Sequence, residues 1–299
     1  MKLILTHLFL FLFINQLHSS NYFQQKVDYK IQVTLNDVTH ELRGFEEITY
    51  TNNSPVPLQE LYFHLYPNAY KNTSTPLAKE LYNVGAEYML EAEEKDLGSI
   101  DSLDFKTGTI KLEWELLQDT IDICKIKLAE PLLPGASITI STPFKVKIPS
   151  AVLSRLGHNE QAYFITQWYP KPAVYDKNGW NYFSYLDKGE YYSEFGSFDV
   201  TITLPANYVV GATGELIDGE SENTWLEEKS KETMGLADFP TDMSFPASSK
   251  EMKTLHFKQN NIHDFAWFAD KRWHVIKGEV ELSGSKRKII TWSFFTNAE

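Results

Sequence analysis

YKIQVTL, residues 29–35, alternates apolar Ile31, Val33 and Leu35 with polar Lys30, Gln32 and Thr34. Period two is the side-chain period of a half-buried strand, and the stretch lacks the 3.6-residue beat of a helix. The beat recurs. Leu61, Phe63 and Leu65 alternate with Tyr62, His64 and Tyr66, and Ile110, Leu112, Trp114 and Leu116 alternate with Lys111, Glu113 and Glu115. Further strands are predicted over 137–140, 144–148 and 198–204, divided by turn signals such as Asn52-Asn53-Ser54-Pro55, Pro134-Gly135 and Pro205-Ala206-Asn207. The fold class is mainly β.

Two stretches lose the rhythm, 71–106 and 218–250, both charge-rich with few paired apolar positions, and both read as surface excursions. Within the first, 80–96 predicts a short acidic helix whose charges form a solvated face. No repeat of solenoid or propeller period occurs, which excludes those architectures. After Lys277-Gly278 a last alternating run covers 280–295. At 299 residues, with 42% hydrophobic and 14% aromatic side chains, the chain has the composition of a globular protein with a sizeable core. A formal net charge of -12 argues against nucleic acid as a partner, because phosphate binding runs on Lys and Arg.

Met1-Lys2 leads into an apolar run over 3–14 and then into a polar segment ending in Ser19-Ser20. That is the pattern of a signal peptide over 1–20, its apolar core shorter than a membrane span. The expectation is export to the periplasm or the extracellular space, with no transmembrane segment after cleavage. The β domain then runs over 21–277, with final strands over 278–299. Cys124 is the only cysteine, so no internal disulfide can form.

Catalytic signals are scarce. His40-Glu41 starts like a zinc-peptidase motif, but the position one helical turn on is Gly44. His256, His263 and His274 are spaced by neither a helical pair nor a finger, and read as scattered surface or capping histidines. Glu190 and Glu194 could imitate a glycosidase pair, but the flanking Gly189 and Gly196 mark a turn-rich context and predict solvated carboxylates. No nucleophile elbow, Walker loop or dinucleotide turn is present. The sequence nominates no catalytic residue, metal ligand or cofactor within this chain.

One segment stands apart. ITQWYPKPAVYDKNGW, residues 165–180, is aromatic and proline-rich without helical period. Each proline removes a backbone donor and extends the residue before it, so the segment is a specialised loop or an edge. Its rings read either as the wall of a site or as a plug over the core.

Four segments carry a resemblance: GFEEITYTNNSPVPLQELYFHLYPNAY (44–70), FITQWYPKPAVYDKNGW (164–180), GEYYSEFGSFDVTITLPANYVVGATGEL (189–216) and NIHDFAWFAD (261–270). In this order they resemble the N-terminal β domain of M1-family zinc metallopeptidases, the aminopeptidase N group, and most of all its bacterial exported branch. The resemblance implies a saddle-like, multi-sheet antiparallel β domain with short helical or loop insertions, packed against a catalytic domain on the same or a separate chain. It also implies that Thr166-Gln167 matches a Thr-Gln pair beside the first residue of a bound peptide. Gln167 and Tyr169 are thus the expected substrate-binding residues, with Tyr169 where many members place a carboxylate. The family's H-E-x-x-H helix and G-x-M-E-N-like motif occur nowhere in the 299 residues. Both would be expected past Glu299, with the zinc, and this chain alone is predicted inactive as a peptidase. The alternative is a non-catalytic secreted β module binding peptide, protein or carbohydrate, the last by stacking on Trp168 and Trp180.

Overall fold

The computed structural model describes residues 22–189 and 191–297. The signal peptide expected over 1–20 lies outside them, as does Glu190. Among the described residues, nine strands form the largest sheet. At its centre, strand Lys26–Asn36 lies antiparallel to Glu41–Thr51 and parallel to Gly196–Pro205, with Tyr29 opposite both Ile48 and Phe198. The alternation read from the sequence is the burial pattern: Val27, Tyr29, Ile31, Val33 and Leu35 all turn inward. Each buried aliphatic side chain contributes about 1.5–3 kcal/mol, which pins the register, since a one-residue slip would turn them all to solvent. The parallel pairing departs from the antiparallel expectation and requires a long crossover. That crossover, 37–195, supplies most of the other sheets.

Strands Leu58–His64, Thr120–Leu132 and Glu113–Leu117 form a four-stranded sheet whose far edge is the two-residue strand Lys171–Pro172. Another joins Gly157–Asn159, Ala162–Ile165, Trp267–Asp270 and Val209–Ala212. One large apolar core runs beneath all three sheets. The two strands predicted over 137–148 are one, Ser137–Lys147, with Pro143 paired opposite Phe45.

Both presumed surface excursions contain buried structure. The acidic helix predicted over 80–96 is instead Pro76–Asn83, Tyr88–Glu91 and a 3-10 turn Glu94–Asp96. Thr75 caps the first by accepting from the Ala78 amide at 3.3 Å, and Leu77, Ala78, Leu81 and Met89 are buried. In the second, helix Glu220–Met234 packs on the hairpin His274–Glu281/Lys288–Phe295 through a small core of Val209, Leu226 and Val275. Its buried residues are Leu226, Ser230 and Thr233, and two polar residues in three hide the apolar period. No helix of the described residues is long and apolar enough to cross a membrane.

Glu46 occupies an inward position on Glu41–Thr51, fully buried, with neither carboxylate oxygen partnered. Burial pushes its carboxyl well above the usual 4.5. A raised carboxyl stabilises the fold below the unfolded value, and that contribution is lost as pH rises above about 4.5. Glu46→Gln should therefore melt higher than the wild type at pH 8, with the difference shrinking towards pH 4.5. A difference independent of pH would show that Glu46 is not the titrating group.

Candidate functional site

The aromatic segment leaves strand Ala162–Ile165, turns at Gln167, and returns as the edge strand Lys171–Pro172. Proline is tolerated there because an edge strand leaves one row of donors unused. Gln167 holds φ at +52°, a left-handed conformation costing a side-chain-bearing residue roughly 1 kcal/mol or more. Something must hold it.

The restraint is Asp264. Its Oδ1 accepts from the Tyr169 hydroxyl at 2.8 Å, the Lys171 ammonium at 2.9 Å and the Phe265 amide at 2.8 Å, while Oδ2 accepts from Gln167 Nε2. Lys171 Nζ also donates to Gln167 Oε1 at 3.4 Å and Ser193 Oγ at 3.3 Å. Only 2% of the lysine side chain and 24% of the aspartate side chain are exposed. Burial draws the Lys171 ammonium below its usual range, and Asp264 pulls the other way. His64, on the neighbouring strand Leu58–His64, is the register partner of Lys171. Its imidazole is fully buried, both nitrogens unpartnered, and stacks on Tyr66 at 4.6 Å. Burial, reinforced by the Lys171 charge, lowers it to about 3, so it stays neutral.

Gln167 and Tyr169 are thus brought into one cluster, with their polar atoms turned onto Asp264. Sequence reasoning missed Asp264, Lys171, Ser193 and His64. The one available signal was Lys171 itself, a charge between two prolines in an aromatic run. Trp168 is core, not wall: it is 0% exposed, donates to the Phe265 carbonyl at 3.0 Å, and meets Phe144, Tyr169 and Trp267 with ring centroids 6.0, 5.2 and 6.3 Å away. Phe144 can approach because residue 44 is glycine, where a Cβ would lie 2.2 Å from its ring. A stacking platform on Trp168 is ruled out by that burial. Trp180 is only half-buried, against Tyr175 and Tyr62.

Elsewhere, His40 stacks face to face on His158 at 3.8 Å, His256 meets Asp199 at 2.6 Å, and His274 pairs with Asn297. Among the described residues no group of three or more His, Cys, Asp or Glu could hold a metal ion. Glu194, expected to be solvated, is buried at 4% exposure; the turn signals around it describe the chain path and not the side chain. Burial raises its carboxyl to about 7.

No family model matches the chain, and no curated protein does. Solved structures do. The neighbours are M1 zinc metallopeptidases. One from Deinococcus radiodurans superposes with TM-score 0.48 at 11% identity, over 91% of this chain and 48% of its own. A point mutant of that enzyme gives 0.49 at 12% identity, and the same mutant bound to a Tyr-Ser-Ala substrate gives 0.48 at 12%, each with the same coverage. The chain spans about half the length of these structures.

With its ring fully enclosed, Trp168→Ala should cost about 3–5 kcal/mol in denaturant unfolding. A loss under about 1 kcal/mol would mean that the ring is exposed in solution.

Proposed function

We propose that this chain is the substrate-cleft β domain of an exported zinc aminopeptidase of the M1 type. One observation carries the reading. Three of the four segments that bear the resemblance lend side chains to a single hydrogen-bonded cluster, Gln167, Tyr169 and Lys171 from 164–180, Ser193 from 189–216 and Asp264 from 261–270, and the fourth, 44–70, pairs its His64 backbone opposite Lys171. Local strand formation asks for no such convergence.

In this reading Gln167 borders the first residue of a bound peptide. An amide has two N–H groups and two acceptor lone pairs; one of each is committed to Asp264 and Lys171, which leaves one of each for a substrate. Tyr169 and Lys171 act through Asp264 to hold that amide in its left-handed turn. The partners are the N-terminus of a peptide and an M1 catalytic domain, on the same or a separate chain. In this reading the zinc would be held by that catalytic domain.

The test is hydrolysis of aminoacyl anilides by the complete enzyme, isolated with this domain in place. Activity should be chelator-sensitive, and Gln167→Ala should lower kcat/KM about tenfold, the effect of leaving a buried polar partner unmatched. Unchanged kcat/KM in folded variant would remove Gln167 from the substrate's surroundings. Peptide binding without hydrolysis would favour the non-catalytic module.

A further inference from the structure

Strands Lys26–Asn36, Gly196–Pro205 and Met252–Ile262 lie side by side, and an open groove of about 500 Å³ crosses one end of all three. A β-bulge shapes it. Gly196 pairs with Ile262 and Ser197 with Asn260, which leaves Asn261 as the extra residue, at a left-handed φ of +57°. Consecutive residues of a regular strand point to opposite faces, and a bulge re-aims one of them. Here Asn260 and Asn261 both line the groove.

Both asparagines are exposed, and among the described residues neither side-chain amide has a hydrogen-bond partner. Lys26 and Asp28, also in the lining, neutralise each other as an ion pair, and Asp28 Oδ1 accepts from the Ser197 amide at 3.0 Å and the Ser197 hydroxyl at 2.7 Å. Phe195 lines the groove with 42% of its surface exposed, its ring centroid 5.4 Å from that of His263. A simple anion or cation finds no net charge here. An apolar ligand would strip water from two free amides. An extended peptide would need an unpaired strand edge, and the middle strand is paired on both sides. A neutral sugar fits, because each hydroxyl donates and accepts, as an amide does, and the C–H face of the sugar ring stacks on an aromatic one.

We propose that this groove binds a neutral sugar, with Phe195 as the open stacking surface and the Asn260 and Asn261 amides holding adjacent hydroxyls. The proposal does not rest on the aminopeptidase reading. It puts the stacking on a ring that solvent reaches, unlike Trp168, which is enclosed. Asn261 is the specific element, since the bulge brings it beside Asn260.

The test is ligand-observed NMR titration of the full chain with cellotetraose, maltotetraose, xylotetraose, mannotetraose and chitotetraose, with N-acetyl-tetraalanine amide as the peptide control. Saturable binding of at least one sugar is expected, with a Kd of about 1 mM or tighter, and at least about tenfold tighter than the peptide. Phe195→Ala should weaken it by about tenfold, the loss of an aromatic stacking partner. Asn261→Gly, which keeps the left-handed φ without strain, should weaken it by about fivefold. If Phe195→Ala fails to fold, Asn261→Gly decides alone. Absence of saturable sugar binding, a peptide affinity within about tenfold of the best sugar, or undiminished affinity in Asn261→Gly would overturn the proposal.

Discussion

The Lys171 ammonium has been taken out of water, and the carboxylate of Asp264 makes that tolerable. An unpaired ammonium at this depth costs several kcal/mol, so the aromatic segment can close over the core only if the 261–270 segment delivers its aspartate to the same point. That requirement fixes two remote parts of the chain against each other. Once they meet, Trp168 finds the Phe265 carbonyl, Tyr169 finds Asp264, and Gln167 is held in a backbone conformation it would otherwise avoid.

Around this pair the packing follows from close approach. Gly44 lets the Phe144 ring down onto the sheet, and that ring supports Trp168. At Gly196 a Cβ would lie 1.6 Å from the Val27 carbonyl, so only glycine admits the crossing where Gly196–Pro205 meets the N-terminal strand. Glu46, His64 and Glu194 stand apart from this economy, each buried with at least one unpartnered polar atom. Among the described residues Tyr50, Tyr70 and Trp267 also hold such an atom, and a buried polar atom left unmatched costs stability.

Much of the architecture was legible because a strand writes its burial pattern into alternate residues, as Ile31, Val33 and Leu35 do. Helix Glu220–Met234 was not, because Ser230 and Thr233 do the burying where apolar residues would have shown the period. The segment 165–180 could be recognised as special from its prolines and rings, yet not as core, since aromatic composition is the same for a wall and a plug. Gln167 and Tyr169 were nominated by resemblance. Asp264 could not be, because a single aspartate acquires its role only through a tertiary contact with a lysine that no local pattern announces.

If the Lys171–Asp264 pair holds the loop, the two residues must be energetically coupled. The direct measurement is a double-mutant cycle of Lys171→Met and Asp264→Asn by equilibrium denaturation of the full chain. Each single variant should lose about 2–5 kcal/mol, and the double should lose less than the two combined by at least about 1.5 kcal/mol, since removing both partners leaves no orphaned charge. Losses that add to within about 0.5 kcal/mol would contradict the account and leave the aromatic packing to hold the loop by itself.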